Sequence, residues 1–515
     1  MVSSPCPADE TQNERTPLLD ASQQDGDSSS PSALSSWTPK QWRVMVLGAI
    51  LLLALDFGSY LGTPPQIEIF EDIICRGYYA KLNQTSSGTT TLLHPLDDAI
   101  CKVAPVQSEL ALVNGWKGTF DVLPSILTGL PYGVLADHIG RRPVLVLAVL
   151  GSVLGEIWPR IVCWFGMPLR LVWLSGLWRV IGGGDLVTTS MVLVIVADLF
   201  SEEERATALF RLSSAALVAE IVATPISAVM MSTDPWLPYL VGLAIILIFF
   251  PLLFLVPETI EEAREKARKT LATGDHHLPE ALEPPSKGTL FATIYSRVQT
   301  FLQSTQFMWR NSNVLLTLLA VFVGILSKQS TSLLLQYASA KYHWSIARAS
   351  FLISLRGSIS IASYLLLVPV ISSFLIRYLH LEAVSKDLYV AQASAAFAIA
   401  GFLVIFVAET PPVLILGVVL VSLGIPFGMS VLSVATSLVP SDHVATLYSA
   451  ASVMHSVGML VAGPIFASVY GFGIRLGLSW SGLPFGLASL TFVLALIAVS
   501  CVRAGRRPGN VAGDY

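Results

Sequence analysis

The stretch Gly-Val-Leu-Ala-Asp-His-Ile-Gly-Arg-Arg, residues 133–142, decides the fold, because it is a short polar break between two long apolar segments. A helix of about 20 mostly apolar residues is long enough to cross the roughly 30 Å hydrocarbon core of a bilayer. The apolar segments on both sides of the stretch are long enough for this. The stretch therefore predicts a polar turn that joins two membrane-spanning helices.

The composition agrees with a membrane protein. The chain has 515 residues, of which 53% are hydrophobic and only 13% charged, whereas soluble proteins usually carry about a quarter charged residues. The net charge of −4 gives no indication of nucleic-acid binding. The five cysteines have no metal-ligand spacing, and we expect neither a metal nor a cofactor.

Motifs of ATP-driven pumps and familiar hydrolases are missing from the sequence. No Gly-x-x-x-x-Gly-Lys-Ser/Thr, His-Glu-x-x-His or Gly-x-Ser-x-Gly pattern occurs, and these are the patterns that bind nucleotide phosphates, hold a catalytic zinc or present a nucleophilic serine. We therefore expect that the protein is not an enzyme.

Scanning for apolar runs of spanning length predicts an all-α membrane protein with twelve transmembrane helices in two six-helix bundles. Glycine and proline inside these runs are tolerated where neighbouring helices satisfy the freed backbone groups. The predicted spans lie near residues 43–63, 108–135, 143–162, 171–198, 206–231, 236–256, 314–338, 347–371, 387–408, 412–438, 443–469 and 477–502.

The domain organisation follows from these spans. Two halves of six spans around a central linker are the arrangement of repeated transporter halves with a binding site between them at the midplane. The predicted units are a disordered N-terminal tail (1–40), a first bundle (41–256), a central loop (257–313), a second bundle (314–503) and a C-terminal tail (504–515).

Basic residues predict the orientation. Arg141, Arg142, the basic residues of 264–310 and the arginines of the C-terminal tail fall on one side if the spans alternate. The positive-inside rule makes that side cytoplasmic, with both termini inside. In the N-terminal tail, Glu14, Leu18 and Leu19 resemble an acidic dileucine signal that adaptor proteins read. The plasma membrane and the vacuolar membrane both remain open as locations.

Residues 64–107 are predicted to form one long outer loop. It contains Asn83 in a glycosylation acceptor sequence. It also contains Cys75 and Cys101, which either form a disulfide in an oxidising compartment or remain two unpaired thiols.

Three motifs carry a resemblance to a known family. Residues 133–142 resemble the signature that the major facilitator superfamily has between its second and third spans. Arg179 to Gly184 is similar to the family's arginine-containing motif in span four, and Ala197 to Arg205 is similar to its acidic turn after that span. Among family members, the sequence most resembles fungal drug-efflux or folate-transporter-like proteins. The resemblance implies a monomeric transporter that works by alternating access to a midplane cavity.

The resemblance also implies a cytoplasmic latch formed by Gly133, Asp137, Gly140, Arg141 and Arg142. In physical terms, the two glycines allow close approach of helices and a tight turn. Asp137 can pair with a nearby arginine or sit against the positive N-terminus of another helix, plausibly the one beginning near Ser441. The alternative is that the cluster acts only as a topology anchor.

Ionisable residues within spans cost roughly 2.5–3.5 kcal/mol each and therefore require partners or a wet cavity. The candidates for substrate binding or proton coupling are Asp56, Arg179, Asp185, Glu220, Lys328, Arg356 and His455. His455 can titrate near neutral pH or make one structural hydrogen bond. Glu156, Arg160 and Lys117 are expected near the outer surface, in contact with water.

Arg179 and Asp185 are predicted not to pair with each other. Six residues of α-helix turn through about 600°, which places the two on different faces. Asp56 or Glu220 is the expected partner of Arg179, if their helices line one cavity. Lys328 and Arg356 would give the second bundle a positive lining suited to an anionic or carbonyl-bearing solute.

Together these features predict a secondary active transporter of a small organic solute in the lipid bilayer, coupled to protons and exporting the solute. A carboxylate in a partly dry cavity titrates near neutrality, which proton coupling requires. Span five keeps Pro225 but lacks the glycines of antiporters in the family. Proton-coupled uptake of a nutrient or organic anion, or a receptor that no longer transports, therefore remain alternatives.

Overall fold

The computed structural model describes residues 37–85, 98–200, 202–262, 264–265, 299, 311–379, 383–439 and 444–502. Its described regular structure is entirely helical, and twelve helical spans are long and apolar enough to cross a membrane, so the predicted fold class is confirmed. The α-helices are α1 (Pro39–Thr85), α2 (Ala104–Ile139), α3 (Arg141–Trp164), α4 (Ser175–Arg179), α5 (Gly184–Leu199), α6 (Glu202–Met231), α7 (Trp236–Phe249), α8 (Ser312–Gln329), α9 (Leu334–Tyr342), α10 (Ile346–Ala362), α11 (Val368–Leu379), α12 (Ala383–Val407), α13 (Pro411–Leu423), α14 (Phe427–Ser437), α15 (Val444–Leu476) and α16 (Leu483–Ser500).

The first helix is far longer than its predicted span, so the prediction of a loop beginning at residue 64 is wrong. α1 runs for 47 residues and contains Pro64 and Pro65. Proline lacks the N–H that would bond to the carbonyl four residues earlier, and Pro65 thereby frees the Leu61 carbonyl. The Ser227 hydroxyl of α6 donates to that carbonyl at 2.7 Å, so a neighbouring helix replaces the lost bond.

In four of the twelve described spans, the α-helix is divided into two. The pairs α4/α5, α8/α9, α10/α11 and α13/α14 each belong to one span. The break between α4 and α5 is made by Gly182, Gly183 and Gly184, whose φ angles are 83°, 83° and 68°. An added Cβ at Gly182 would lie 2.2 Å from the backbone nitrogen of Ala148. These glycines therefore supply both a left-handed backbone and close packing against α3.

The two bundles meet along α2 and α15. A Cβ at Gly115 would lie 2.7 Å from the Gly463 carbonyl, and one at Gly471 would lie 3.3 Å from the Ser108 Cβ. Further along α2, a Cβ at Gly129 or Gly133 would meet no described atom within 4 Å. The described contacts between α2 and α15 therefore lie towards the end of α2 that carries Ser108, whereas Gly129 and Gly133 have open space beside them.

The terminal face is the end that holds Lys40, the turn at Gly140 and Glu258, and the opposite face is the end that holds Lys102 and Gln336. The space between the bundles beside Glu220 and Arg356 is called the central cavity.

Candidate functional site: the central cavity

The prediction that Arg179 and Asp185 do not pair is wrong. The Arg179 guanidinium forms an ion pair with the Asp185 carboxylate. The prediction assumed one continuous helix, but the three glycines end α4 at Arg179 and begin α5 at Gly184, which folds the two side chains towards each other. The Asp185 side chain is 69% exposed, and because charge facing hydrocarbon is costly, it faces the central cavity.

Arg179 also anchors a buried polar network. Its guanidinium lies 3.2 Å from Glu156 and 3.5 Å from Asp121. Lys117 pairs with Asp121 at 2.8 Å, and Arg160 pairs with Glu156 at 3.0 Å. Because Lys117 is 8% and Arg160 5% exposed, the expectation that they contact water is wrong.

The network is electroneutral when Asp185 is included, with three cations and three carboxylates. Two hydroxyl groups complete it: Ser175 donates to Asp121 at 2.6 Å, and Ser152 donates to Asp185 at 2.7 Å. Buried charges are tolerated only when paired and hydrogen-bonded in this way. Asp121 was not among the predicted residues, although its spacing of four from Lys117 is a recognisable helical ion-pair signal.

Glu220 and Arg356 form an ion pair that joins the two bundles. Glu220 lies on α6 of the first bundle and Arg356 on α10 of the second, and their side chains are 10% and 22% exposed. The Arg356 guanidinium also lies 3.4 Å from the Thr331 hydroxyl. The expected pairing of Glu220 with Arg179 is therefore wrong, because Glu220 points across the bundle interface.

Asp56 lies on α1 one helical turn before Tyr60, so both residues face the same side. Tyr60 lies beside the Glu220 carboxylate, and Asp56 is close enough to Asp185 to interact with it electrostatically. Among the described side chains, Asp56 is half-buried and has no ion-pair partner. The expected pairing of Asp56 with Arg179 is therefore also not formed.

Several predicted residues lie elsewhere or outside the described part of the chain. His455 is exposed on α15. Lys328 lies in α8 and Asn83 near the end of α1, but their side chains are outside the described ones. The adaptor signal at Glu14, Leu18 and Leu19 and the position of Ser441 also lie outside the described residues.

The predicted latch residues meet residues of the acidic turn at the terminal face. Asp137 forms an ion pair with Arg141, and the Arg141 guanidinium lies 3.5 Å from Asp198. Of the two partners proposed for Asp137, the nearby arginine is present, and the position of the other, near Ser441, lies outside the described residues. The cluster lies within the first bundle, and a Cβ at Gly133 would meet no described atom within 4 Å.

Glu258, which sequence reasoning did not single out, holds the start of α3. Its carboxylate accepts hydrogen bonds from the backbone N–H groups of Arg141 at 2.8 Å and Arg142 at 3.1 Å. The N-terminus of a helix carries unpaired N–H groups and partial positive charge, which favour a carboxylate there. Gly140 has φ 112°, and an added Cβ would lie 2.6 Å from Glu258 Oε2, so the turn requires glycine.

At the opposite face, Cys75 and Cys101 form a disulfide, with a Cα–Cα distance of 5.4 Å. Of the two states left open by the sequence, the structure therefore has the bonded one. The disulfide joins α1 to the short 3₁₀ segment Asp98–Cys101 that precedes α2. The described residues contain no group of three or more His, Cys, Asp or Glu side chains able to hold a metal ion.

Comparisons with known proteins agree with this architecture. The sequence profile described as Major Facilitator Superfamily matches residues 103–463. The chain is 37% identical to the MFS-type transporter avaK of Aspergillus versicolor, over 91% of this chain and 94% of the relative. It is 34% identical to the efflux pump ustT of Aspergillus flavus, over 90% of this chain and 88% of the relative.

Two solved structures are similar in fold. The human organic anion transporter MFSD10 is matched with a TM-score of 0.52 at 18% identity, over 90% of this chain and 100% of that one. A D-xylose-proton symporter is matched with a TM-score of 0.57 at 15% identity, over 89% of this chain and 97% of that one. At these identities the likeness concerns the fold alone.

Proposed function

The chain belongs to the Major Facilitator Superfamily and is a multi-pass membrane transporter of small molecules, and we propose that it exports a small organic solute in exchange for protons. The bundles 41–256 and 314–503 alternate in opening the central cavity to the two faces. The terminal face is cytoplasmic, and the transporter acts as a monomer in the plasma or vacuolar membrane.

One observation carries the proposal: the ion pair between Glu220 and Arg356 joins the two bundles beside the central cavity. A proton on Glu220 removes the negative charge and breaks this inter-bundle pair. Arg356 is then an uncompensated charge, which favours either separation of the bundles or binding of a polar group of the solute. Protonation and movement of the bundles are coupled in this way.

The direction is proposed from the relatives. Two of them, at 34% and 31% identity, are named as efflux pumps. In a cell, a central cavity open towards the terminal face would be positioned to load solute from the cytoplasm. The dileucine signal of the N-terminal tail would direct the protein to the vacuolar membrane through an adaptor.

Uptake of an organic anion is the second candidate, and Arg356 favours it. A guanidinium released from its carboxylate binds carboxylate or phosphate groups with two parallel hydrogen bonds. In that case proton and anion enter together, because the proton on Glu220 is what frees Arg356. The sign of the pH dependence separates the two candidates. Export in exchange for protons should be fastest when the side that receives the solute is the more acidic one, and uptake with protons when the side that supplies the solute is the more acidic one.

The test is solute flux in reconstituted vesicles under an imposed pH difference, using a panel of labelled organic compounds. Glu220→Gln should abolish the pH dependence of flux, because the amide cannot exchange a proton. Glu109→Gln is the matched control, since Glu109 forms an exposed pair with Arg170 at the protein surface. Flux that keeps its full pH dependence in Glu220→Gln would reject coupling through this residue.

A further inference from the structure

A polar contact closes the opposite face of the central cavity. The Gln336 side-chain amide of α9 donates to the backbone carbonyl of Gln107 at 2.6 Å and lies 3.1 Å from its Oε1 atom. Gln336 is 2% and Gln107 1% exposed. Buried amides are costly unless they are hydrogen-bonded, so this contact, the Gln107–Gln336 gate, favours the state in which the bundles touch.

A second hydrogen bond lies deeper along the same seam. The Thr119 hydroxyl of α2 donates to the Leu460 carbonyl of α15 at 2.7 Å. That carbonyl lacks its usual helical partner because the residue four positions later is Pro464. The seam between Gln107 and Thr119 therefore shuts the opposite face, and it must separate when that face opens.

Gln107 is held in place by two neighbours of its own bundle. Its side-chain amide donates to Glu71 at 2.5 Å and lies 3.2 Å from the Cys101 carbonyl. The Lys102 ammonium lies 2.7 Å from both oxygens of Glu71. Since Glu71 is 5% and Lys102 9% exposed, this is a buried ion pair whose carboxylate fixes the orientation of the Gln107 amide.

The disulfide fixes the segment that supplies these partners. Cys75 of α1 is 0% and Cys101 6% exposed, so the bond is buried. It ties the residues just before α2 to the part of α1 that extends beyond the span. The Cys101 carbonyl and the Lys102 side chain are thereby held against α1, where they reach Gln107 and Glu71.

We propose that the Cys75–Cys101 disulfide and the Glu71–Lys102 ion pair are positioning elements that orient Gln107 for Gln336 and so hold the opposite face closed. The inference rests on the proposed function only in requiring that this face opens during the cycle. Loss of the positioning elements shifts the protein towards states that are open at the opposite face, without removing any residue of the central cavity.

The test measures access to a single reporter cysteine. Gly118→Cys lies on α2 about 16 Å deeper than Gln107, and an added Cβ there would meet no described atom within 4 Å. The parent protein for this test carries Gly118→Cys together with serine in place of Cys6, Cys163 and Cys501. A membrane-impermeant maleimide is added at the opposite face of oriented vesicles, without solute and without a pH difference.

The parent should label slowly from the opposite face. Cys75→Ser with Cys101→Ser, and separately Gln336→Ala, should each raise the labelling rate about fivefold, the change that corresponds to a net hydrogen bond of about 1 kcal/mol. Gln392→Ala is the matched control, because the Gln392 amide contacts Ser500 at 3.5 Å within the second bundle. It should leave the rate unchanged.

A second positioning variant covers the case in which the serine pair does not fold. Glu71→Gln with Lys102→Met keeps the disulfide and the net charge, and it should raise the labelling rate by a similar factor. The proposal is overturned if a positioning variant labels at the parent rate while its unfolding temperature is unchanged. Because labelling uses neither solute nor gradient, its outcome is independent of whether flux is proton-coupled.

Discussion

Replacing Arg179 by methionine should destabilise the first bundle strongly. Arg179 is shared by three carboxylates, those of Asp185, Glu156 and Asp121. Without it, two cations face three carboxylates in a buried network. Removing one partner of a buried ion pair costs about 3–5 kcal/mol. We expect about 3 kcal/mol, the lower end, because the Asp185 side chain is 69% exposed and can be solvated.

The assay is thermal unfolding of the protein in lipid nanodiscs, followed by the fluorescence of its eleven tryptophans. A cost of this size lowers the unfolding temperature by on the order of 10 °C for a unit of about 200 residues. Arg170→Met is the matched control, because Arg170 is 63% exposed and pairs with Glu109 at 2.9 Å. Exposed pairs contribute about 0–1 kcal/mol, so the control should unfold at about the same temperature as the unsubstituted protein.

A compensating change tests the charge argument itself. Arg179→Met combined with Asp185→Asn leaves two cations and two carboxylates in their own ion pairs, Lys117 with Asp121 and Arg160 with Glu156, and it should recover most of the lost stability. The reasoning would be refuted by Arg179→Met unfolding at the temperature of Arg170→Met. It would equally be refuted by a double variant no more stable than the single one, since restored neutrality would then have had no effect.

Three further predictions concern the terminal face. Gly140→Ala should lower the free energy of unfolding by about 1–3 kcal/mol from backbone strain alone. The measurement is the unfolding temperature, which should fall in Gly140→Ala but not in Gly133→Ala, because an added Cβ at Gly133 meets open space. Asp137→Asn should slow solute flux while leaving the amount of protein in the membrane unchanged, and an unaltered flux rate would reject the latch role. Burial raises the pKa of Glu262, but its hydrogen bond with Lys40 lowers the pKa more, so the net pKa lies below the ordinary 4.5. This stabilising contribution is present above that value and is lost as the pH falls through the lowered pKa. Lys40→Met should therefore reduce the unfolding temperature at about pH 7 but not at about pH 3, and an equal reduction at both would contradict the assignment.

The spans and the turn at residues 133–142 were accessible to sequence reasoning because both depend on local properties. Length and apolar content decide whether a segment crosses a bilayer, and a cluster of charges between two such segments can only be a turn. The partner of Glu220 was not accessible, since Arg356 lies 136 residues away on the other bundle. Pairings of this kind depend on how helices pack.

Of two wrong predictions, one had a signal that local rules could have used and the other did not. Three consecutive glycines between Arg179 and Asp185 weaken a helix, so the angular argument for a continuous helix did not apply there. Pro64 and Pro65 looked like the end of a helix, but membrane helices tolerate proline where a neighbour satisfies the carbonyl. The bond from Ser227 is such a case, and it could not be foreseen without knowing which helix lies beside α1.

The length of α1 makes this helix suitable for reporting the motion of the first bundle. The part of the helix beyond Pro65 is about 30 Å long, at about 1.5 Å per residue, and it belongs to the same α-helix as the span. A tilt of the bundle by about 10° would swing the far end by about 5 Å, a lever-arm displacement that two spectroscopic labels can resolve. The rocking motion of the bundles could therefore be measured with labels outside the bilayer, and no label would be needed in the central cavity.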